Sequence, residues 1–229
     1  MKILLIIPAY NEEKSIVRVV EKIRVEFPDY DYVIINDGST DDTLRICREH
    51  GYSVISHPVN LGLAGAFQTG MKYACLHHYD AAMQFDADGQ HQPEYVEKLI
   101  RKMESDSDDI VIGSRFVDKA KGKSLRMLGN TLLSWAIRLT TGQKISDPTS
   151  GMRLYGKTVM QEFAEELNYG PESDTIAFLI KKGAKVGETQ VEMKERTEGT
   201  SYLTLSKSVS YMTRMLVSIL LIQGFRKRG

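Results

Sequence analysis

At 229 residues, with 42% of positions hydrophobic and 26% charged, the chain is long enough for one substantial core and short for two, so one domain is expected. Thirty Lys and Arg balance thirty Asp and Glu, which excludes a strongly basic nucleic-acid binder and a charged disordered tail. The balance conceals an asymmetry: residues 1–114 carry 11 basic and 19 acidic side chains and residues 115–229 carry 19 and 11, which directs anionic partners to the C-terminal half.

The first element is the apolar run Ile3 to Ile7, closed by Pro8. It reads as a buried strand and is too short for a signal-peptide core. Short β-branched runs recur at Tyr32 to Ile35, Ser53 to Ser56, Ala81 to Phe85 and Ile110 to Ile112, separated by amphipathic segments, the pattern of an α/β protein with a mainly parallel sheet. Helix starts are marked by Asn11 before Glu12 and Glu13, by Ser39 and Thr40 before Asp41 and Asp42, and by Pro93 before Glu94. After Arg115 the alternation breaks at Lys119, Lys121, Gly122 and Lys123, a polar basic loop of functional character.

Two later segments differ from the rest. From Leu125 to Leu139, apolar residues at 125, 128, 132, 136 and 139 share a helical face, with Leu133, Trp135 and Ile137 beside it and Arg126 and Arg138 flanking. From Leu203 to Phe225 a similar pattern is closed by Arg226, Lys227 and Arg228. Both read as helices lying in a membrane interface; the plain alternative for the first is packing on its own core. No spanning helix is expected, because the longest later apolar stretch, Met215 to Ile222, is interrupted by Ser218 and falls far short of the roughly 20 residues a span needs. The two cysteines, Cys47 and Cys75, form no C-x-x-C pair, which argues against a disulfide framework or a structural zinc site and for a reducing compartment.

The most informative motif is Gln84-Phe85-Asp86-Ala87-Asp88-Gly89-Gln90, at the end of the fourth strand. Ligands of open α/β sheets bind at that end. Two carboxylates one residue apart repel unless a cation lies between them, and they suit a divalent ion holding a diphosphate. Pro8-Ala9-Tyr10-Asn11-Glu12 and Asn36-Asp37-Gly38-Ser39-Thr40-Asp41-Asp42 end the first two strands on the same edge, where Tyr10 can stack on a nucleobase and Asp37 can accept a hydrogen bond from it. Turn and cap chemistry is the alternative for both, and the preferred one for Asp41 and Asp42. The first turn lacks G-x-G-x-x-G, which disfavours a dinucleotide fold of the usual kind. Gly151 to Thr158 matches the phosphate-loop pattern G-x-x-x-x-G-K-[ST] by letter, but no buried strand precedes it, and the match is rejected. Asp174, in the GPESD turn, reads as a cap or as a contact to sugar hydroxyls.

These motifs occur in a recognisable order: PAYNE (8–12), DGSTDDT (37–43), NLGLAGA (60–66), DADGQHQPE (86–94), GSR (113–115), DPTSGMR (147–153) and ERTEGTSY (195–202). The chain resembles family 2 glycosyltransferases of the GT-A fold, and within them the polyprenyl-phosphate hexosyltransferases of the dolichyl-phosphate mannose synthase type. The resemblance implies a GT-A catalytic domain over 1–202, with an interfacial helix near 124–140, and a membrane-surface helix over 203–229. It implies that Pro8, Ala9, Tyr10, Glu12, Asp37 and Asp86 hold the nucleotide. Asp86, Asp88 and Gln90 would bind Mg²⁺ or Mn²⁺. Ser114, Arg115, Arg126 and Arg196 would hold the acceptor phosphate, with Asp88 and Arg115 the catalytic pair. The family's R-x-x-G-x-S is matched by Arg196, Gly199 and Ser201, but Tyr202 stands where Lys usually follows.

Elementary chemistry agrees with these roles. A phosphate-ester acceptor is largely ionised at pH 7, so no general base is required, and arginines hold its oxygens in a fork. The five histidines form no evident constellation in the sequence. The expected reaction is inverting, metal-dependent transfer of a hexose from a nucleotide diphosphate sugar, UDP-glucose or UDP-N-acetylglucosamine first, to polyprenyl phosphate. Its setting would be the cytoplasmic face of an anionic membrane, with a homo-oligomer or a small membrane protein as further partners and no nucleic acid. The competing readings are a family 2 enzyme with a glycan acceptor and a catalytically silent sugar-nucleotide-binding subunit. Arg115 has an alternative of its own, simple pairing with Asp147.

Overall fold

The computed structural model describes residues 1–85, 93–122, 124–165, 169–192 and 205–222, without the side chains of 93, 125, 126 and 205–208. The described residues form β1 (Ile3–Ala9), α1 (Ile16–Glu26), β2 (Asp31–Asn36), α2 (Thr43–Glu49), β3 (Val54–Ser56), α3 (Gly62–Leu76), β4 (Ala81–Gln84), α4 (Pro93–Asp106), β5 (Ile110–Ser114), α5 (Leu125–Thr141), β6 (Arg153–Gly156), α6 (Lys157–Glu165), α7 (Ser173–Lys181), β7 (Val186–Gln190) and α8 (Leu205–Leu220). The seven strands make one sheet in the order β3-β2-β1-β4-β6-β5-β7.

Strand β6 alone runs antiparallel, with Met83 opposite Leu154 on one side and Val111 opposite Leu154 on the other. The remaining pairings are parallel, as in Ile6 beside Val33 and Ile112 beside Glu188. The alternation of the strands divides the core in two. Ile3, Leu5 and Ile7 of β1 face α1, α2 and α4, whereas Leu4 and Ile6 face the layer built by α3 and α5 to α8. Helix α1 shows why such segments fold here: Ile16, Val19, Val20 and Ile23 recur at helical spacing and are all buried.

The five strands expected from β-branched runs are present. Strands β6 and β7 are additions. The first is only Arg153–Gly156 and lies inside the apparent phosphate-loop match, so that stretch is strand followed by helix and the rejection stands. The second, Val186–Gln190, is a half-buried edge strand of mixed polarity.

Two expected caps are replaced by contacts between loops. Helix α1 begins after Ser15, and Asn11, at φ 56°, accepts from Thr40 N–H at 2.9 Å and donates its own N–H to Ser39 Oγ at 3.0 Å. Glu12 N–H donates to Thr43 Oγ1 and Glu13 N–H to Asp41 Oδ2, stitching the β1 and β2 turns together. Asp174 is not the cap of α7, which is Glu172; it lies buried in the first turn and accepts from Ser218 of α8 at 2.6 Å.

Helix α8 is clasped to α7 by that bond and by one from Tyr211 to Glu172, and its Met215 and Ile219 join the core. It crosses α5 closely at Gly129, where an added Cβ would come within 3.1 Å of Met212. Helix α5 turns Leu133, Ala136 and Ile137 inward and leaves Leu128, Leu132, Trp135 and Leu139 exposed. The outward stripe therefore holds Trp135 where the expected one held Ala136. On α8, Val209, Val217 and Leu220 are exposed, with Leu221 and Ile222 following. No described helix is long and apolar enough to cross a membrane.

Candidate active site

The C-terminal ends of β1, β2, β4 and β5 and the N-terminal end of β6 lie on one edge of the sheet. Over the ends of β1 and β4, a cleft of about 160 Å³ is lined by Pro8, Ala9, Glu12, Ser15 and Phe85 with the first turns of α1. Tyr10, next to Ala9 in the sequence, is 47% exposed, as a ring available for stacking must be. Glu12 accepts from the Ser15 hydroxyl.

Asp37 is far less open. Its Oδ1 accepts from Leu61 N–H at 2.9 Å and lies 2.8 Å from His57 Nδ1, while Oδ2 accepts from Gly62 N–H at 2.8 Å. Gly38 permits this clasp: at φ +67°, an added Cβ would stand 2.5 Å from the Val59 carbonyl carbon. His57 was not distinguished by the sequence, because its partners lie 20 and 12 positions away. Asp41 accepts from Thr43 and Glu13; burial alone would raise its carboxyl, but these bonds hold it below the usual range. Asp42 pairs with Arg45 at 2.8 Å on the surface, which agrees with a structural role for both acids.

On the β5–β6 side, Ser114 is fully buried and Arg115 forms a fork with Asp147, Nε to Oδ2 at 2.7 Å and Nη2 to Oδ1 at 2.9 Å. Asp147 is completely buried and also accepts from Arg115 N–H and Asn130 Nδ2. Burial would raise its carboxyl, and the Arg115 guanidinium overrides that and holds it below the ordinary carboxylate range. Glu188 of β7 accepts the N–H groups of Ser146 and Asp147, and Arg153 donates to the carbonyls of Pro148 and Pro171, so the DPTS turn is fixed from both sides.

The fork engages only one face of Arg115. The side chain is 24% exposed, and among the described residues none reaches Nη1. Lys121 comes in from the basic loop to donate to Asn130 Oδ1 and lies 5.7 Å from the Phe116 ring centroid. Burial lowers its pKa against the pull of Asp147 and Glu188. Asn130 and Lys121 are site residues whose roles the sequence did not indicate, since each acquires its partners only when α5 and the basic loop fold over the DPTS turn.

Asp86, Asp88, Gln90 and Arg196 lie outside the described residues, as does the side chain of Arg126. Asp86 follows Phe85 in the sequence; Phe85 is buried, its N–H bonds Ile6 O at 2.8 Å, and β4, which it follows, lies in the middle of the sheet between the two sides just described. Two carboxylates and an amide oxygen are a hard donor set of the kind Mg²⁺ and Mn²⁺ take. Among the described residues no cluster of three His, Cys, Asp or Glu offers another such place.

Residues 4–164 match the model of glycosyl transferase family 2. The chain belongs to that family. The transferase is 34% identical over 214 residues to a UDP-N-acetylglucosamine–dolichyl-phosphate N-acetylglucosaminyltransferase of Methanococcus voltae, covering 83% of this chain and 84% of the relative. It is 29% identical to an undecaprenyl-phosphate mannosyltransferase of Micrococcus luteus, covering 89% and 88%. Among solved structures it is similar to glucosyl-3-phosphoglycerate synthase of Mycobacterium tuberculosis with Mn²⁺ and UDP-glucose, at TM-score 0.68 and 18% identity over 100% of this chain and 81% of that one. That likeness establishes the GT-A fold of the transferase and nothing finer.

Proposed function

We propose that the transferase moves a hexose from a nucleotide diphosphate sugar to a polyprenyl phosphate at a membrane surface, with inversion. The observation that carries this reading is the half-open guanidinium of Arg115, fixed by Asp147 at the end of β5 with Lys121 beside it, opposite a cleft suited to a nucleoside. The functions named for the archaeal and bacterial relatives point to the same acceptor class, and the first of them favours UDP-N-acetylglucosamine among donors.

In this reading Tyr10 stacks on the base, Asp37 accepts from it, and Pro8, Ala9 and Glu12 line its cleft. Asp86, Asp88 and Gln90 would hold Mg²⁺ or Mn²⁺, which when bound neutralises the departing diphosphate. Arg115, with Arg126 and Arg196, orients the acceptor phosphate so that an ionised oxygen faces the anomeric carbon; Ser114, expected to join them, is fully buried and its hydroxyl accepts from Phe116 N–H at 3.3 Å. The ionised phosphate oxygen needs no base, and one displacement gives a β-linked product from an α-linked donor. The exposed stripe Leu128, Leu132, Trp135 and Leu139 on α5 and the outward face of α8 would rest in the lipid interface, bringing the site to a lipid-borne phosphate.

A donor panel tests the reading: UDP-glucose, UDP-N-acetylglucosamine and GDP-mannose with Mn²⁺, polyprenyl phosphate present or absent, scored by released nucleotide and organic-phase sugar. Lipid-dependent transfer from one donor is expected. Release without organic-phase sugar overturns the acceptor, and failure to float on anionic vesicles favours a glycan acceptor instead.

A further inference from the structure

The ring of His57 is engaged at both nitrogens in a place the reaction as described does not use. It follows β3 directly, and its N–H donates to Asn36 O at 2.9 Å. Nδ1 lies 2.8 Å from Asp37 Oδ1 and Nε2 lies 2.8 Å from Thr69 Oγ1 on α3. Both side chains of this contact are nearly enclosed, 9% exposed for His57 and 5% for Asp37. A carboxylate accepts, so Nδ1 carries the proton in this contact, and the Thr69 hydroxyl serves the other nitrogen as donor or acceptor as required.

A carboxylate offers about four acceptor positions. In Asp37, Leu61 N–H and His57 Nδ1 take those of Oδ1, and Gly62 N–H takes one on Oδ2. Among the described residues, what remains is one acceptor position on Oδ2, aimed by three donors on three different residues. A group so presented rewards a base edge that carries an N–H, as uracil and guanine do. It penalises one that presents a lone pair there, as cytosine N3 does, because two acceptors then face each other in a site with little water.

We propose that His57, braced by Thr69, is a positioning residue that aims Asp37 and thereby sets the preference of the site for N–H-bearing nucleobases. The proposal rests on the reading of Asp37 as a nucleobase contact. Without the imidazole, Oδ1 loses its only side-chain donor and the wall beside it, water enters, and the carboxylate is free to turn about its own side-chain torsion. Affinity for the diphosphate portion, held elsewhere, is not touched.

The test measures binding of UDP, GDP, CDP and pyrophosphate, each with Mn²⁺, to the full chain and to His57→Ala, His57→Asn and Thr69→Val. The wild type is expected to prefer UDP or GDP over CDP by about tenfold or more, the value of one hydrogen bond to a charged group. His57→Ala should narrow that preference to about threefold or less with pyrophosphate affinity unchanged, and His57→Asn, whose amide N–H stands in for Nδ1–H, should retain most of it. Thr69→Val removes a single hydroxyl at the far end, leaves the fold intact, and should fall between. A wild-type preference that survives in Thr69→Val and in folded His57→Ala overturns the proposal, as does a loss shared equally by pyrophosphate. A wild type with no preference among the three nucleotides overturns the nucleobase reading of Asp37 itself.

Discussion

Along the β1–β3 side of the catalytic edge, carboxylates are satisfied mainly by neutral donors: backbone N–H groups, hydroxyls and one imidazole hold Asp37 and Asp41. Along the β5–β6 side the buried carboxylate, Asp147, is satisfied by a guanidinium, with a partly desolvated lysine next to it. In the proposed function each side receives a phosphate group, and among the described residues cations are found against the buried carboxylate of the second side alone. In the proposed function the first imports positive charge with the metal, whereas the second needs its arginine held rigid.

The largest effect that would break the contrast is on the imported charge. Asp88→Asn, or EDTA on the wild type, should lower transfer by on the order of a thousandfold with the melting temperature of the variant unchanged. Full activity in either case would mean that the donor side is not metal-dependent. Next is the built-in charge. Asp147→Asn leaves Arg115 half-buried without its partner and should cost about 3 kcal/mol in urea unfolding. Because the folded carboxyl is depressed, its contribution is complete above the ordinary carboxylate range near pH 4 and is lost as pH falls through the lower folded value. The stability gap between wild type and variant should therefore close in strong acid, and a gap that persists there would refute the ion-pair account.

On the neutral side, Gly38→Ala forces a methyl against the Val59–Asn60 backbone at positive φ and should cost about 2 kcal/mol while raising donor KM, both readable from melting and steady-state rates. Arg115→Lys keeps the charge but not the fork, and is expected to raise acceptor KM about tenfold with donor KM unchanged. Smallest is Trp135→Glu on the exposed stripe, which should reduce flotation on anionic vesicles while leaving turnover of a detergent-dispersed acceptor within about twofold. Unchanged flotation would remove α5 from the proposed lipid contact.

Strands β1 to β5 were legible because each is a short β-branched run bounded by turn residues, and their ends carry the motifs that mark the catalytic edge. Strand β6 was hidden because four residues inside a look-alike loop motif carry no period, and β7 because an edge strand has only one face to bury. The pairing of Arg115 with Asp147 was one of two readings of the sequence, and both features coexist in the structure: a fixed fork and an open edge. Lys121 was legible only as one lysine of the basic loop, and His57 and Asn130 were not legible at all. Their partners come from other elements, so their chemistry exists only after the sheet has assembled.

The reversed direction of β6 has a genetic consequence. The chain leaves the catalytic edge at Ser114 and returns to it at Met152, between two strands that pair directly with one another. Apart from Arg196, every side chain assigned to the acceptor lies in that single excursion, and every one assigned to the nucleotide lies before it. Breakpoints in β5 and β6 would preserve the pairing of Ile110 with Tyr155 and lift the excursion out as a cassette, with its seams against β7, α7 and α8 to be refitted. A fold wired this way lets lineages recombine or drift in what they glycosylate while the inherited means of reading the donor stays untouched.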